Sequence, residues 1–280
     1  MPILKESSAE LRRRLLELFP AVNLRAFFKK SGLKEGLASA IAKSADPVNL
    51  AHIAQFVDTT MTFCKQHVYV FEHDGDLVLP EDFSGAERVA SAPDHALYIA
   101  KRHYEVVKLD PPQNSSMDFL WPIRLELTKK YLLVRFVVLE KDLSAYFDRQ
   151  IMVRSKAPSE EAMTGSLLSD GNIYAADLNK GIKALWAKDL IDATRLRFDM
   201  PDSADSKSMN GAKQLKKTNP GVYADVRLRP LRMCTFVGHG PHTAVGNFSV
   251  SPTEGFIGFT RYSKDGSSGD ELIRQILASN

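Results

Sequence analysis

Two hundred and eighty residues, 44% hydrophobic and 25% charged, describe a globular chain with ample core and exclude an intrinsically disordered one. Two cysteines exclude a disulfide framework, and the longest apolar run, YLLVRFVVLE, carries Arg135 and falls short of a bilayer span. The net charge of +3 conceals an asymmetry: residues 1–45 and 195–232 each hold nine Lys or Arg against four acids, leaving −7 on the remainder, and such fields steer anionic partners.

The N-terminus, MPILKESSAELRRRLLELF, turns charged before a signal-peptide apolar stretch develops. With reduced thiols, this points to a cytoplasmic protein with no membrane partner. Residues 1–66 read as a helical bundle. SSAELRRRLLELF opens on serine caps, repeats Leu11, Leu15 and Leu18 at helical spacing, and stops at Pro20. NLRAFFKKSG, closed by Gly32, and LKEGLASAIAKS follow. DPVNLAHIAQFVDTTMTF takes Asp46 as cap and Pro47 as first helical residue, which sets Leu50, Ile53 and Phe56 on one face.

Residues 67–154 read as a hairpin-rich α+β part. HVYVFEHDGDLVLP is predicted as strand, Asp-Gly turn and strand. SAPDHALYIAKRHYEVVKL is predicted as a helix with Ala96, Ile99, Ala100 and Val107 inward, and LDPPQNSSM as a loop. FLWPIRLELTKKYLLVRFVVLE gives two strands around Thr128-Lys129-Lys130, with Ile123, Leu125 and Leu127 opposite Arg124 and Glu126. The stretch ALYIAKRHYEVVKLD resembles a helix in the centromere protein N family of kinetochore components, and a helical N-terminus before an α+β part also suits that family. The likeness covers these fifteen residues, and no function is carried across on it.

Residues 155–171, SKAPSEEAMTGSLLSDG, read as a linker. Residues 172–280 form the C-terminal α+β part. It opens with a predicted helix, NIYAADLNKGIKALWAKDLIDA, that turns Ile182, Leu185 and Trp186 inward. A strand TRLRFDM, a polar stretch PDSADSKSMNGAKQLKKTNPG and a long strand VYADVRLRPLRMCTFV follow. NFSVSPTEGFIGFTRY completes the β-region and GDELIRQILAS closes the chain as a helix. Hairpins without βαβ alternation make the fold class α+β: an N-terminal helical bundle, then an antiparallel or mixed sheet with flanking helices.

The strongest functional signal is arginine alternation. TRLRF sets Arg195 and Arg197 against Leu196 and Phe198, and VRLRPLR sets Arg227 and Arg229 against Val226 and Leu228. Neighbouring strands would gather four guanidiniums on one face. Like charges so placed destabilise a sheet unless Asp199, Asp225 or Glu126, or an external phosphate backbone, compensates them. Lys207, Lys213, Lys216 and Lys217 lie between the two segments, on a loop able to wrap a polyanion. Arg12, Arg13 and Arg14 fan around a helix, whereas Arg25, Lys29 and Lys30 are better aligned.

Cys234, His239 and His242 form C-x4-H-x2-H in MCTFVGHGPHTAVGNF. One thiolate and two imidazoles suit zinc with an open fourth position, although the spacing departs from established zinc motifs. The same glycines and proline also build an ordinary hairpin turn. No helix follows to make the turn a phosphate loop. Cys64 with His67, and His73, His95 and His103, lack a nucleophile and orienting group at defined spacing. The leading expectation is therefore a non-enzymatic component that contacts nucleic acid or a nucleoprotein through an arginine-lined sheet face. Its rivals are a protein–protein adaptor docking through residues 1–66, and a metal-dependent enzyme, such as a hydrolase, at Cys234, His239 and His242. No other cofactor is expected.

Overall fold

A computed structural model describes residues 2–30, 36, 41, 50–109, 112–139, 151–155, 159–169, 171–199, 206–210, 214–263 and 265–280. Helices and one large antiparallel sheet make up the fold. The N-terminal segment holds α1 (Pro2–Glu6), α2 (Ala9–Glu17), α3 (Ala21–Lys30) and α4 (Leu50–Thr60). Ser8 caps α2 by accepting from the Leu11 N–H. LKEGLASAIAKS, apart from residues 36 and 41, and the Asp46–Pro47 start lie outside the described residues.

The sheet strands are β1 (Gln66–His73), β2 (Asp82–Phe83), β3 (Ala86–Ser91), β4 (His95–Leu109), β5 (Pro112–Leu127), β6 (Tyr131–Val137), β7 (Ile151–Ser155), β8 (Ile173–Ala175), β9 (Ile191–Asp199), β10 (Ser206–Asn210), β11 (Cys234–Gly238), β12 (Asn247–Ser251) and β13 (Phe256–Phe259). Their order is β10-β9-β11-β12-β13-β1-β6-β5-β4-β3-β2, with β7 beside β4 and β8 beside β1. Between them lie α5 (Glu160–Leu168), α6 (Asn179–Ala187), α7 (Leu215–Thr218) and α8 (Pro220–Val226), and α9 (Gly266–Ala278) closes the chain.

Several sequence expectations are corrected. The segment predicted as a helix over 91–109 is β4, paired with β5 along all 15 residues of the strand. Leu97, Tyr98 and Ile99 are consecutively buried, so packing on both faces erased the period of two that marks a half-exposed strand. The likeness of this stretch to a kinetochore-protein helix falls with it. The loop expected over 109–117 is the start of β5, described from Pro112 onward. The predicted hairpin after β1 does not form, because residues 76–80 are not strand and β1 pairs instead with β13, β6 and β8. Residues 160–168 are helical, with Ser159 as N-cap and Met163 buried. The long strand expected over 222–237 is helix α8 up to Val226, and strand begins only at Cys234. Pro220 at its first helical position favours that start. The hairpin around Thr128–Lys130, the inward Ile182, Leu185 and Trp186, and the closing helix are all as the patterning implies.

Two apolar cores meet at β1 and divide its residues. Val68 and Val70 enter a core with Trp186, Phe236, Phe248, Leu272 and Ile276. Phe71, with Tyr69 packed alongside, joins a core holding Leu15, Leu16, Phe56, Trp121 and Phe136. On β6, Leu133 belongs to the first of these, and Leu132, Val134 and Phe136 belong to the second. Since successive strand side chains point to opposite faces, the cores lie on opposite faces of the sheet where they meet. The apolar sides of α2 and α4 are buried in the same core as β4, β5 and β6.

The polar side of the β5–β6 hairpin is closed by ions. Buried Arg135 donates to Gln66 Oε1 at 3.2 Å and to Glu126 at 2.9 Å, and lies 2.8 Å from Asp270 on α9. Arg124 continues the chain to Glu126 at 3.0 Å and to the Asp58 carbonyl of α4 at 2.8 Å. Burial pushes the Asp270 carboxyl above its ordinary range despite the opposing pull of Arg135. Removing one member of such a set leaves uncompensated charge in the interior. Arg135→Met should lower the unfolding free energy by about 3–5 kcal/mol in urea denaturation; a loss below about 1 kcal/mol would show the ions to be dispensable.

Candidate nucleic-acid interface

TRLRF is a strand as expected, within β9. Arg195 and Arg197 are exposed while Leu196 and Phe198 are buried. A bulge sets this phase. Thr235 faces Arg195 and Phe236 faces Ala193, so Thr194 is the extra residue. Without it, Arg195 and core residue Ala193 would share a face.

Register across the sheet then fixes what accompanies the arginines. Arg195 opposes Thr235, Thr235 opposes Ser249, Ser249 opposes Gly258, and Gly258 opposes His67. Directly paired residues project to the same side, so these five form one row. The next row starts at Arg197, whose N–H donates to the Met233 carbonyl at 3.0 Å. The register continues it through Ser251, Phe256 and Tyr69. Met233, beside Arg197, is 56% exposed.

At the β1 end, these rows border a cavity of about 310 Å³ lined by His67, Tyr69, Arg102, Met233, Glu160 and Phe256. The Phe256 ring packs edge-on against Tyr69 and His67, with centroids 5.2 Å apart in both pairs. Glu160, in the first turn of α5, accepts from Tyr69 Oη at 3.2 Å and lies 2.8 Å from His67 Nδ1. Burial and the Glu160 charge push the Tyr69 hydroxyl pKa up, which keeps it a neutral donor. Arg102 is buried, with its guanidinium 3.8 Å over the Trp121 ring. Glu161 and Glu254 line the same cavity from exposed positions.

The other basic residues separate from this face. Arg227 and Arg229 are not on a strand. Arg227 is the exposed C-cap of α8 and Arg229 pairs with Asp225 at 2.9 Å. The Arg229 guanidinium lies 5.7 Å over the Phe198 ring, on the side opposite Arg195 and Arg197. The expected four-arginine face is thus a two-arginine face. Lys216 is structural: its ammonium donates to the Trp186 and Ala187 carbonyls at the end of α6 and lies 2.7 Å from Asp189. Lys217 is exposed on α7, Lys207 is on β10, and Lys213 lies outside the described residues. In the N-terminal segment, Arg12 is buried against the Leu4 carbonyl at 3.0 Å and Arg14 reaches the Asp118 carbonyl at 3.0 Å.

The cysteine–histidine turn is a 3-10 segment, Gly240–Val245, linking β11 to β12. Cys234 faces the core, where burial pushes its thiol up to about 11. His242 is buried, its Nε2 3.0 Å from Gln275 Oε1 on α9. His239 Nε2 and His242 Nδ1 are buried without hydrogen-bond partners among the described residues. Among those residues, no three His, Cys, Asp or Glu side chains converge on a common point able to hold a metal ion. His95 bridges Asp94 and Asp58, His103 bonds Asp118, and Cys64 is buried against the Leu18 carbonyl.

Sequence reasoning missed Tyr69, Phe256, Met233 and Glu160. Only the period-two pattern of HVYVF and FIGF hinted at which of them share a face. No helix among the described residues is long and apolar enough to cross a membrane. Compared with known proteins, the chain matches no family model and no curated protein.

Both cysteines are buried and neither is in a disulfide, and the raised pKa of Cys234 also makes it a poor nucleophile and metal ligand at neutral pH. A colorimetric thiol titration should find no fast-reacting group in the native protein and two after denaturation. A fast native thiol, or stoichiometric zinc in protein purified without chelators, would contradict this.

Proposed function

We propose that the chain is a non-enzymatic binding protein that engages nucleic acid or a nucleoprotein through the sheet face bearing Arg195 and Arg197. One observation carries this reading: the strand exposes both guanidiniums on one side and buries Leu196 and Phe198 on the other. Guanidinium presents a two-pronged donor that matches phosphate oxygens. Exposed Arg227 and Lys217, together with Lys207 and Lys213, supply additional positive charge in the same stretch of chain. The helices of residues 1–66 are the alternative docking surface, with Val22 70% exposed on α3. Among the described residues, most of their apolar side chains are buried in or packed against the core they share with the sheet.

Fluorescence anisotropy with a labelled oligonucleotide at two salt concentrations tests the proposal. Each phosphate neutralised contributes about 0.7–0.9 to the slope of log affinity against log salt. Arg195→Ala/Arg197→Ala should therefore weaken binding by about tenfold or more and flatten the slope by about 1.5. Unchanged affinity in the double variant, or binding retained by residues 1–66 alone, would overturn the assignment.

A further inference from the structure

We infer that a second cavity, between α9 and the β5–β6 hairpin, binds a small amphipathic amine, with its ammonium group against Asp270 and its apolar body against Tyr131, Leu133, Ile273 and Leu277. The cavity measures about 530 Å³, within the range of small-molecule sites and far larger than an ammonium group alone. Tyr131, Leu133 and Ile273 are buried core residues and Leu277 packs against them, so one wall rewards a hydrocarbon body. The other wall is the ion set of Arg124, Glu126, Arg135 and Asp270. This site is separate from the arginine pair of β9. Arg135 adjoins Phe136, which pairs with His67 of the Arg195 row, so the two sites occupy opposite faces of the sheet and neither requires the other.

Charge decides the sign of the ligand. Arg124 and Arg135 balance Glu126 and Asp270. His95 is then left between two further carboxylates, 3.2 Å from Asp58 and 2.9 Å from Asp94. Arg274 pairs with Glu271. Four carboxylates thus face two guanidiniums and one imidazole, an excess of negative charge even when His95 is protonated. Exposure sharpens the contrast. The Arg135 side chain is 3% exposed and already donates to Gln66 and Glu126, whereas Asp270 is 43% exposed. One Asp270 oxygen holds Arg135 at 2.8 Å, and the other has no partner among the described residues. That second oxygen is the acceptor a ligand meets, and an ammonium group donates to it with charge assistance. Glu126 approaches the same Arg135 nitrogen at 2.9 Å, so two carboxylates crowd one cation. Burial opposes the charge of Arg135, yet Glu126 and Asp270 raise its pKa above the ordinary value. A second cation relieves that crowding, and a ligand carboxylate would add to it.

Ligand-observed NMR titration of the full chain with 2-phenylethylamine, 2-phenylethanol, 3-phenylpropionate and methylamine tests this. 2-Phenylethylamine should bind about tenfold or more tighter than each of the others, which lack its charge, reverse it or lack its apolar body. Asp270→Asn should weaken the amine by about tenfold and leave 2-phenylethanol unchanged. Ala278→Trp, at an exposed lining position near the end of α9, should fill the cavity and abolish amine binding while the melting temperature holds. That variant decides the matter if Asp270→Asn unfolds. Amine binding that survives both substitutions, 3-phenylpropionate bound as tightly as the amine, or no binding of any probe would overturn the inference. A lysine-containing peptide bound where 2-phenylethylamine is not would make this face a protein-docking surface and overturn it as well.

Discussion

Strand β1 is the constraint on which the rest of the architecture depends. Val68 and Val70 are buried in the core built with the C-terminal helices, and the intervening Tyr69 and the next residue Phe71 pack into the core built with the N-terminal ones. Because alternate side chains serve different cores, a one-residue slip would put valines where Tyr69 and Phe71 pack and aromatic rings where Val68 and Val70 pack. The sheet is therefore continuous from β10 to β2, yet its two halves carry apolar cover on opposite sides at the junction. The face left to the C-terminal half is where Arg195, Arg197, Met233 and Phe256 emerge.

Two devices adapt this frame to polar chemistry. At the β5–β6 hairpin, Arg124, Glu126, Arg135 and Asp270 neutralise one another within a partly buried set. Those charges link α9 to the sheet and line a cavity of about 530 Å³ beside it. At β9, the bulge at Thr194 works in the other direction, turning two arginines outward from a strand whose neighbouring residues are core. One site uses arginine to seal the fold, and the other uses it to face solvent. Exposure separates them: Arg135 is buried, whereas Arg195 and Arg197 are exposed.

Much of the fold was legible where one side of an element meets water. The capped helix at Ser8, the hairpin at Thr128–Lys130, the inward Leu185 and Trp186, and the alternation in TRLRF all show a single period. Legibility failed where both sides are covered or where polarity mimics alternation. ALYIAKRHYEVVKL is buried on both faces at Leu97–Ile99, so its spacing fits a helix as well as a strand. VRLRPLR alternates in charge, yet the Asn219–Pro220 start already favoured a helix over the preceding residues, and Arg229 folds back onto Asp225. Beyond the arginine alternation, the candidate face could not be read locally. Its rows depend on pairing β13 with β1, segments about 190 residues apart in the sequence, and on a bulge that no residue type announces.

The central claim is that the exposed arginine pair on β9 is the surface that engages a polyanion. Ultraviolet cross-linking of the full chain to a single-stranded oligonucleotide, with the linked peptides mapped by mass spectrometry, tests it most directly. Cross-links should fall on the strand bearing Arg195 and Arg197 and on the neighbouring Met233, and vanish when both arginines are replaced by glutamate. Cross-links confined to residues 1–66, or unaffected by those replacements, would contradict the account.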